Sequence, residues 1–112
     1  MHVLVDTSVW IDHFRKKNAT LVSLLEQNLV LMHSAVLGEL ACGNLKKRTE
    51  ILEYLNLLPF SKEVSTEEAL EMVERRHLYG KGLSWIDINL LASSIVSNAH
   101  LWTNDKILKK FS

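Results

Sequence analysis

The sequence predicts an α/β fold built on a short, mostly parallel sheet. Three observations carry that prediction. Short apolar, β-branched runs alternate with stretches of helical spacing, which implies βαβ crossovers. Four Gly and one Pro punctuate the whole chain, so no linker or repeat divides it, and residues 1–112 read as a single domain. The chain has 112 residues, enough to bury roughly 65% of its unfolded surface without staples.

The elements follow in order. His2 to Val5 is short and apolar, a buried strand, and Asp6-Thr7-Ser8 then supplies residues suited to starting a helix. That helix runs from Thr7 to Arg15, with Val9, Trp10 and Phe14 on one face. Asn18 to Gln27 is a second helix carrying Leu21, Leu24 and Leu25, and Leu29 to His33 is a second strand. Ser34 opens a helix through Val36, Leu37, Leu40 and Ala41 that Gly43 ends, and Leu45 to Asn56 is another. Leu58-Pro59-Phe60 opens a weak third strand reaching Val64. Ser65 and Glu68 form a capping box for a helix ending near Gly80. Ser84 caps the next helix, whose apolar positions are Ile88, Leu91, Ala92 and Ile95. His100 to Thr103 is the fourth strand, and Lys106 to Phe111 closes the chain with a helical turn or two.

Composition narrows the function. Hydrophobic residues are 47% and charged residues 23%, which excludes a disordered tail or a fibre. The longest apolar run, Leu29 to Met32, is far too short to span a bilayer, and Asp6 interrupts the N-terminal stretch before it could read as a signal peptide. A lone Cys42 makes no internal disulfide and suits a reducing cytoplasm. Thirteen basic residues balance thirteen acidic ones, so bulk charge does not hold nucleic acid; basic clusters such as Arg15-Lys16-Lys17 and Arg75-Arg76 remain available.

In parallel sheets ligands bind beyond the carboxyl ends of the strands. Asp6 stands just past the first strand and Asp105 just past the fourth, so neighbouring strands would put both on one rim. Asp87 also marks a junction, and Glu39 sits within the otherwise uncharged Ala35–Cys42. Each has a plainer reading. Asp6 and Asp105 can cap helices, Asp87 can complete a capping box with Ser84, and Glu39 can face solvent. Together, four carboxylates at one rim call for a hard divalent cation, Mg²⁺ or Mn²⁺, and suit phosphodiester hydrolysis. No Cys/His spacing suggests zinc, and no Walker lysine loop or Gly-x-Gly-x-x-Gly is present.

Four segments resemble the motifs of PIN-domain ribonucleases, specifically the VapC toxins of toxin–antitoxin modules. They are Val3-Leu4-Val5-Asp6-Thr7-Ser8-Val9-Trp10-Ile11-Asp12, Ser34 through Gly43 around Glu39, Leu83-Ser84-Trp85-Ile86-Asp87, and Leu101-Trp102-Thr103-Asn104-Asp105. The resemblance implies a three-layer sandwich with a parallel sheet flanked by helices. The chain stops seven residues after Asp105, where the family often continues into an edge strand. Four parallel strands are therefore expected, with a fifth missing or borrowed. The resemblance also implies a metal-dependent endoribonuclease leaving a 5′-phosphate and a 3′-hydroxyl. Asp6, Glu39, Asp87 and Asp105 would form the acidic site. Asp6 would ligate the metal directly, with Asp87 or Asp105 sharing the ion and Glu39 acting through water or as a base. Ser8 and Thr103 would orient ligands, or else cap backbone.

Implied partners are RNA, a cognate VapB-type antitoxin whose tail fills the acidic pocket and a groove between helices, and a second copy in a homodimer. Ile51, Leu55, Leu57 and Leu58 can serve a partner surface, although core packing suits most of them. Trp10, Trp85 and Trp102 read as core. Two rivals share the same sequence features: a related structure-specific nuclease or RNA-processing enzyme, and a catalytically silent interaction module.

Overall fold

β1 (Val3–Val5) lies at the centre of a parallel sheet of order β2-β1-β3 in the computed structural model, which describes Met1–Ser112. β2 is Val30–Leu31 and β3 is His100–Trp102. Val3 and Leu4 register with Val30 and Leu31 on one side, and Val3, Leu4 and Val5 with His100, Leu101 and Trp102 on the other. Central position explains composition: Leu4 and Val5 are fully buried, as a strand covered on both faces requires.

Seven helices surround the sheet: α1 Thr7–Arg15, α2 Ala19–Glu26, α3 Ser34–Cys42, α4 Arg48–Asn56, α5 Thr66–Arg75, α6 Trp85–Val96 and α7 Lys106–Lys109. α6 packs on β1 and β3, α1 on α3, α3 on α4, and α5 on α6. A core of 18 buried residues, including Trp10, Leu21, Met32, Val36, Leu55 and Leu90, joins the layers. No helix is long and apolar enough to cross a membrane.

The expected four-stranded sheet is corrected to three strands. The segment from Leu58 contributes only a bridge between Met32 and Phe60. There the Met32 N–H donates to the Pro59 carbonyl and the Ser61 N–H to the Met32 carbonyl, each at 2.8 Å. Pro59 lacks an N–H for any outer partner, and Lys62-Glu63 follow at once, so the segment stays a stub at the edge beside β2. No fifth strand forms.

Two helix boundaries also move. Lys47 adopts a left-handed conformation (φ 52°), so α4 starts at Arg48 rather than Leu45. His77 is left-handed as well (φ 52°), and the Leu78 N–H returns to the Val73 carbonyl at 2.9 Å, stopping α5 at Arg75 short of Gly80. The capping boxes at Ser65/Glu68 and Ser84/Asp87 form as the sequence predicts. Trp10 is buried and Trp102 half-buried, but Trp85 is 46% exposed. It occupies the first position of α6, ahead of the inward positions that begin at Ile88. Of the four candidate patch residues, Leu55 is core, Ile51 and Leu58 pack against it, and Leu57 is 85% exposed.

Candidate active site

The β1–β3 pairing brings the first and last quarters of the chain to one rim. Asp6 follows β1 directly and is 8% exposed. Although it holds the N-cap position of α1, its side chain makes no capping bond. Instead its Oδ2 accepts the Ser8 hydroxyl at 2.9 Å and the Thr103 hydroxyl at 2.7 Å. Both hydroxyls are themselves fixed. Ser8 Oγ accepts the Asn104 N–H at 3.0 Å, and Thr103 Oγ1 accepts the Asp105 N–H at 3.0 Å. One oxygen of Asp6 is thus held on two sides, while Oδ1 takes no hydrogen bond and no Lys, Arg or His pairs with the carboxylate. A buried carboxylate without a counter-cation is costly, and the unbonded Oδ1 is the atom a cation would meet.

Asp105 does cap its helix. Its Oδ1 accepts from the Ile107 and Leu108 N–H groups, both at 2.9 Å, which leaves Oδ2 uncommitted on an exposed residue. Asp87 likewise completes its capping box, with Oδ2 accepting the Ser84 N–H at 2.9 Å. Both plainer readings are therefore realised, each with a single oxygen. Glu39 lies exposed on α3 and accepts the Thr7 hydroxyl at 2.6 Å. Because Thr7 adjoins Asp6, this bond ties α3 to the same rim.

The structure therefore joins Asp6, Ser8, Thr103 and Asp105 in one hydrogen-bonded network, with Glu39 linked through Thr7. Asp87 shares no hydrogen bond with them, and no three carboxylate or imidazole groups form a ready-made metal cage. The donor set fits a hydrated hard cation. Mg²⁺ keeps several waters and needs only one or two carboxylates beside substrate phosphate oxygens. Sequence reasoning missed Thr7 and Asn104. Asn104 Nδ2 donates to Asp12 Oδ2 at 2.8 Å and fastens the β3–α7 connection to α1. Both lie inside the motif segments quoted above, but nothing there set them apart as parts of the site beyond adjacency to Asp6 and Asp105.

Beside Glu39 a groove of about 590 Å³ opens, its lining drawn from Ile11, Phe14 and Arg15 of α1, from Leu40 of α3, and from Lys46 and Ile51. Its walls are largely apolar, with one acidic and two basic side chains at its edge.

A parallel sheet flanked by helices, with an acidic rim at its carboxyl end, defines a class of protein, and the comparison with known families names it. The PIN domain family profile matches residues 3–112, and the chain belongs to that family. Within it the chain is of the VapC type. It is 46% identical over 108 residues to Ribonuclease VapC32 of Mycobacterium tuberculosis strain CDC 1551 / Oshkosh, covering 96% of this chain and 87% of that protein. The protein of the same name from strain H37Rv matches to the same extent.

Proposed function

We propose that this chain is a divalent-metal-dependent endoribonuclease and the toxin of a type II toxin–antitoxin pair. The observation that carries the reading is Asp6. A buried, unpaired carboxylate held by two hydroxyls stands beside Asp105, in a chain close to proteins named as ribonucleases. A silent interaction module has no use for such a group.

Asp6 would hold a Mg²⁺ or Mn²⁺ ion, with Asp105 and Asp87 completing the set from their uncommitted oxygens. When bound, such an ion acidifies water and neutralises charge on the phosphate. The residues of the chain do the rest. Ser8 and Thr103 fix the orientation of Asp6, so its free oxygen is presented in one direction. Glu39 accepts a proton from the attacking water, with Thr7 holding the carboxylate in place. Water adds to phosphorus, the bond to the 3′-oxygen breaks, and that oxygen takes up a proton, leaving a 5′-phosphate and a 3′-hydroxyl.

The groove beside Glu39 is the proposed seat of a VapB-type antitoxin, with a basic side chain reaching the acidic rim. A second copy of the chain could cover exposed apolar positions such as Leu57, giving a homodimer. Exposed, unpaired Cys42 suits a reducing compartment, and we assign the protein to the cytoplasm.

The test is direct. The wild type cuts RNA with Mg²⁺ or Mn²⁺, a chelator abolishes cleavage, and Mn²⁺ restores it. Asp6→Asn lowers the rate at least about a hundredfold with unchanged circular dichroism. Equal cleavage by Asp6→Asn and the parent, or cleavage that resists chelation, overturns the assignment.

A further inference from the structure

The connection between α5 and α6 carries a feature that the acidic rim does not explain. Between Glu74 and Asp87 there is no acidic residue, while Arg75, Arg76 and Lys81 are cationic. Arg75 pairs with Glu71; Arg76 and Lys81 are exposed and form no ion pair. The same segment exposes two large aromatic rings, Tyr79 at 60% and Trp85 at 46%. Single exposed apolar residues need no explanation, but two rings and two free cations in one short turn do.

The turn is held firmly at both ends. Leu78 is buried, with its N–H on the Val73 carbonyl at 2.9 Å. Gly80 and Gly82 have positive φ (68° and 83°), and a Cβ on Gly82 would come within 3.1 Å of Ile107 Cδ1. The turn therefore packs against α7, the helix that Asp105 caps, and runs directly into α6, where Asp87 stands. Lys106, the residue before Ile107 in α7, is an exposed cation as well. Six residues of chain keep Tyr79 and Trp85 within about 20 Å of each other, a span that a short oligonucleotide can bridge. The indole of Trp85 stacks on no ring of the chain, and Tyr79 meets only His77, edge-on at 6.0 Å.

From this arrangement we infer that Tyr79 and Trp85 form a stacking platform for unpaired bases of the RNA next to the cut, with Arg76 and Lys81 on the neighbouring phosphates. Flat faces beside free cations are what sequence-tolerant binding of single strands requires. A duplex hides its base faces in its own stack, so the platform selects single-stranded or looped RNA over helices. The inference rests on the ribonuclease reading and adds to it the contact that chooses the substrate.

The test uses the full chain in two forms. In the non-cutting Asp6→Asn background, binding of a labelled single-stranded oligoribonucleotide is followed by anisotropy at fixed salt. Tyr79→Ala and Trp85→Ala each weaken it about tenfold, whereas Trp85→Phe largely keeps it. In the cutting chain the same alanine variants raise KM by a similar factor and leave kcat unchanged. A duplex of the same sequence binds more weakly and ignores both substitutions. Unchanged single-strand affinity and KM in both alanine variants, with wild-type cleavage intact, overturn the platform and leave the enzyme standing. A change of sedimentation state without a change of KM marks the rings as a protein contact and also overturns it. If the wild type cuts no RNA but ring-dependent single-strand binding persists, the enzyme reading fails and the platform survives.

Discussion

Thr103 does two tasks with one oxygen. It donates to Asp6 at 2.7 Å and accepts the Asp105 N–H at 3.0 Å, so it holds a carboxylate and satisfies a backbone N–H at once. Ser8 repeats the device between Asp6 and the Asn104 N–H. At this scale Asp6 was legible as special, but not the reason; a residue in a helix-capping position gives its side chain to two hydroxyls and leaves the helix N–H groups uncapped. His33 was not legible as more than a strand end. It is 3% exposed, its Nδ1 accepts the Ala35 N–H at 3.0 Å to cap α3, and its Nε2 meets Ser93 Oγ at 3.1 Å. Nδ1 therefore carries no proton and Nε2 does. Burial pushes the His33 pKa below its ordinary 6.5, against a smaller upward pull from Glu63. The unfolded chain then takes up a proton first as pH falls. Stability should be level above about pH 6.5 and decline below it, by at most about 1.4 kcal/mol per pH unit for one proton. Urea unfolding at pH 7.5 and 5.5 checks this, and His33→Gln should flatten the dependence. His13, also lowered by burial, leaves a residual slope of the same sign.

At the scale of elements, the helices announced their beginnings better than their ends. Ser65/Glu68 and Ser84/Asp87 were readable as capping boxes and both form. The breaks at Lys47 and His77 were not readable, because each is a left-handed position occupied by a residue with no glycine signal. The strand expected from Leu58 shrank to a bridge because Pro59 and the charged pair after it suit only an edge. α7 is only four residues long, and Asp105 satisfies two of its N–H groups, so this carboxylate serves the fold and, in the proposed site, the ion. Substitution separates the two roles. Asp105→Asn keeps a good cap and should cost no more than a few tenths of a kcal/mol, yet cleavage should fall sharply. Asp105→Ala should lose cleavage and about 1 kcal/mol of stability as well. Paired urea titrations and RNA cleavage assays read both. If Asp105→Asn cuts RNA like the parent, Asp105 is a cap and nothing more.

For the whole molecule, the alternation of strands and helices was enough to predict a parallel sheet with its acidic residues at the carboxyl end. The pairing of the first and last strands was only a condition in that reading; the structure supplies it, and Thr103 reaches Asp6 across 97 residues of sequence. What the pattern could not supply was distance, since side-chain rotamers decide whether neighbouring carboxylates form a cage, and here no three do. An ion at this rim would draw its ligands from the ends of β1 and β3, which only the folded chain brings side by side, with Asp87 at the start of α6 as the proposed third. The unfolded chain has no comparable site, so binding must stabilise the native state by mass action. At a hundredfold excess over its dissociation constant, Mn²⁺ should add about 2.7 kcal/mol, a rise in Tm of about 10 °C for a chain of this size. Asp6→Asn should remove most of that rise, because it takes away the one buried carboxylate of the chain, which no cationic side chain balances. Thermal unfolding with and without Mn²⁺ measures this independently of any RNA. A Tm that does not move in the wild type, or moves equally in Asp6→Asn, would sink the proposed metal site.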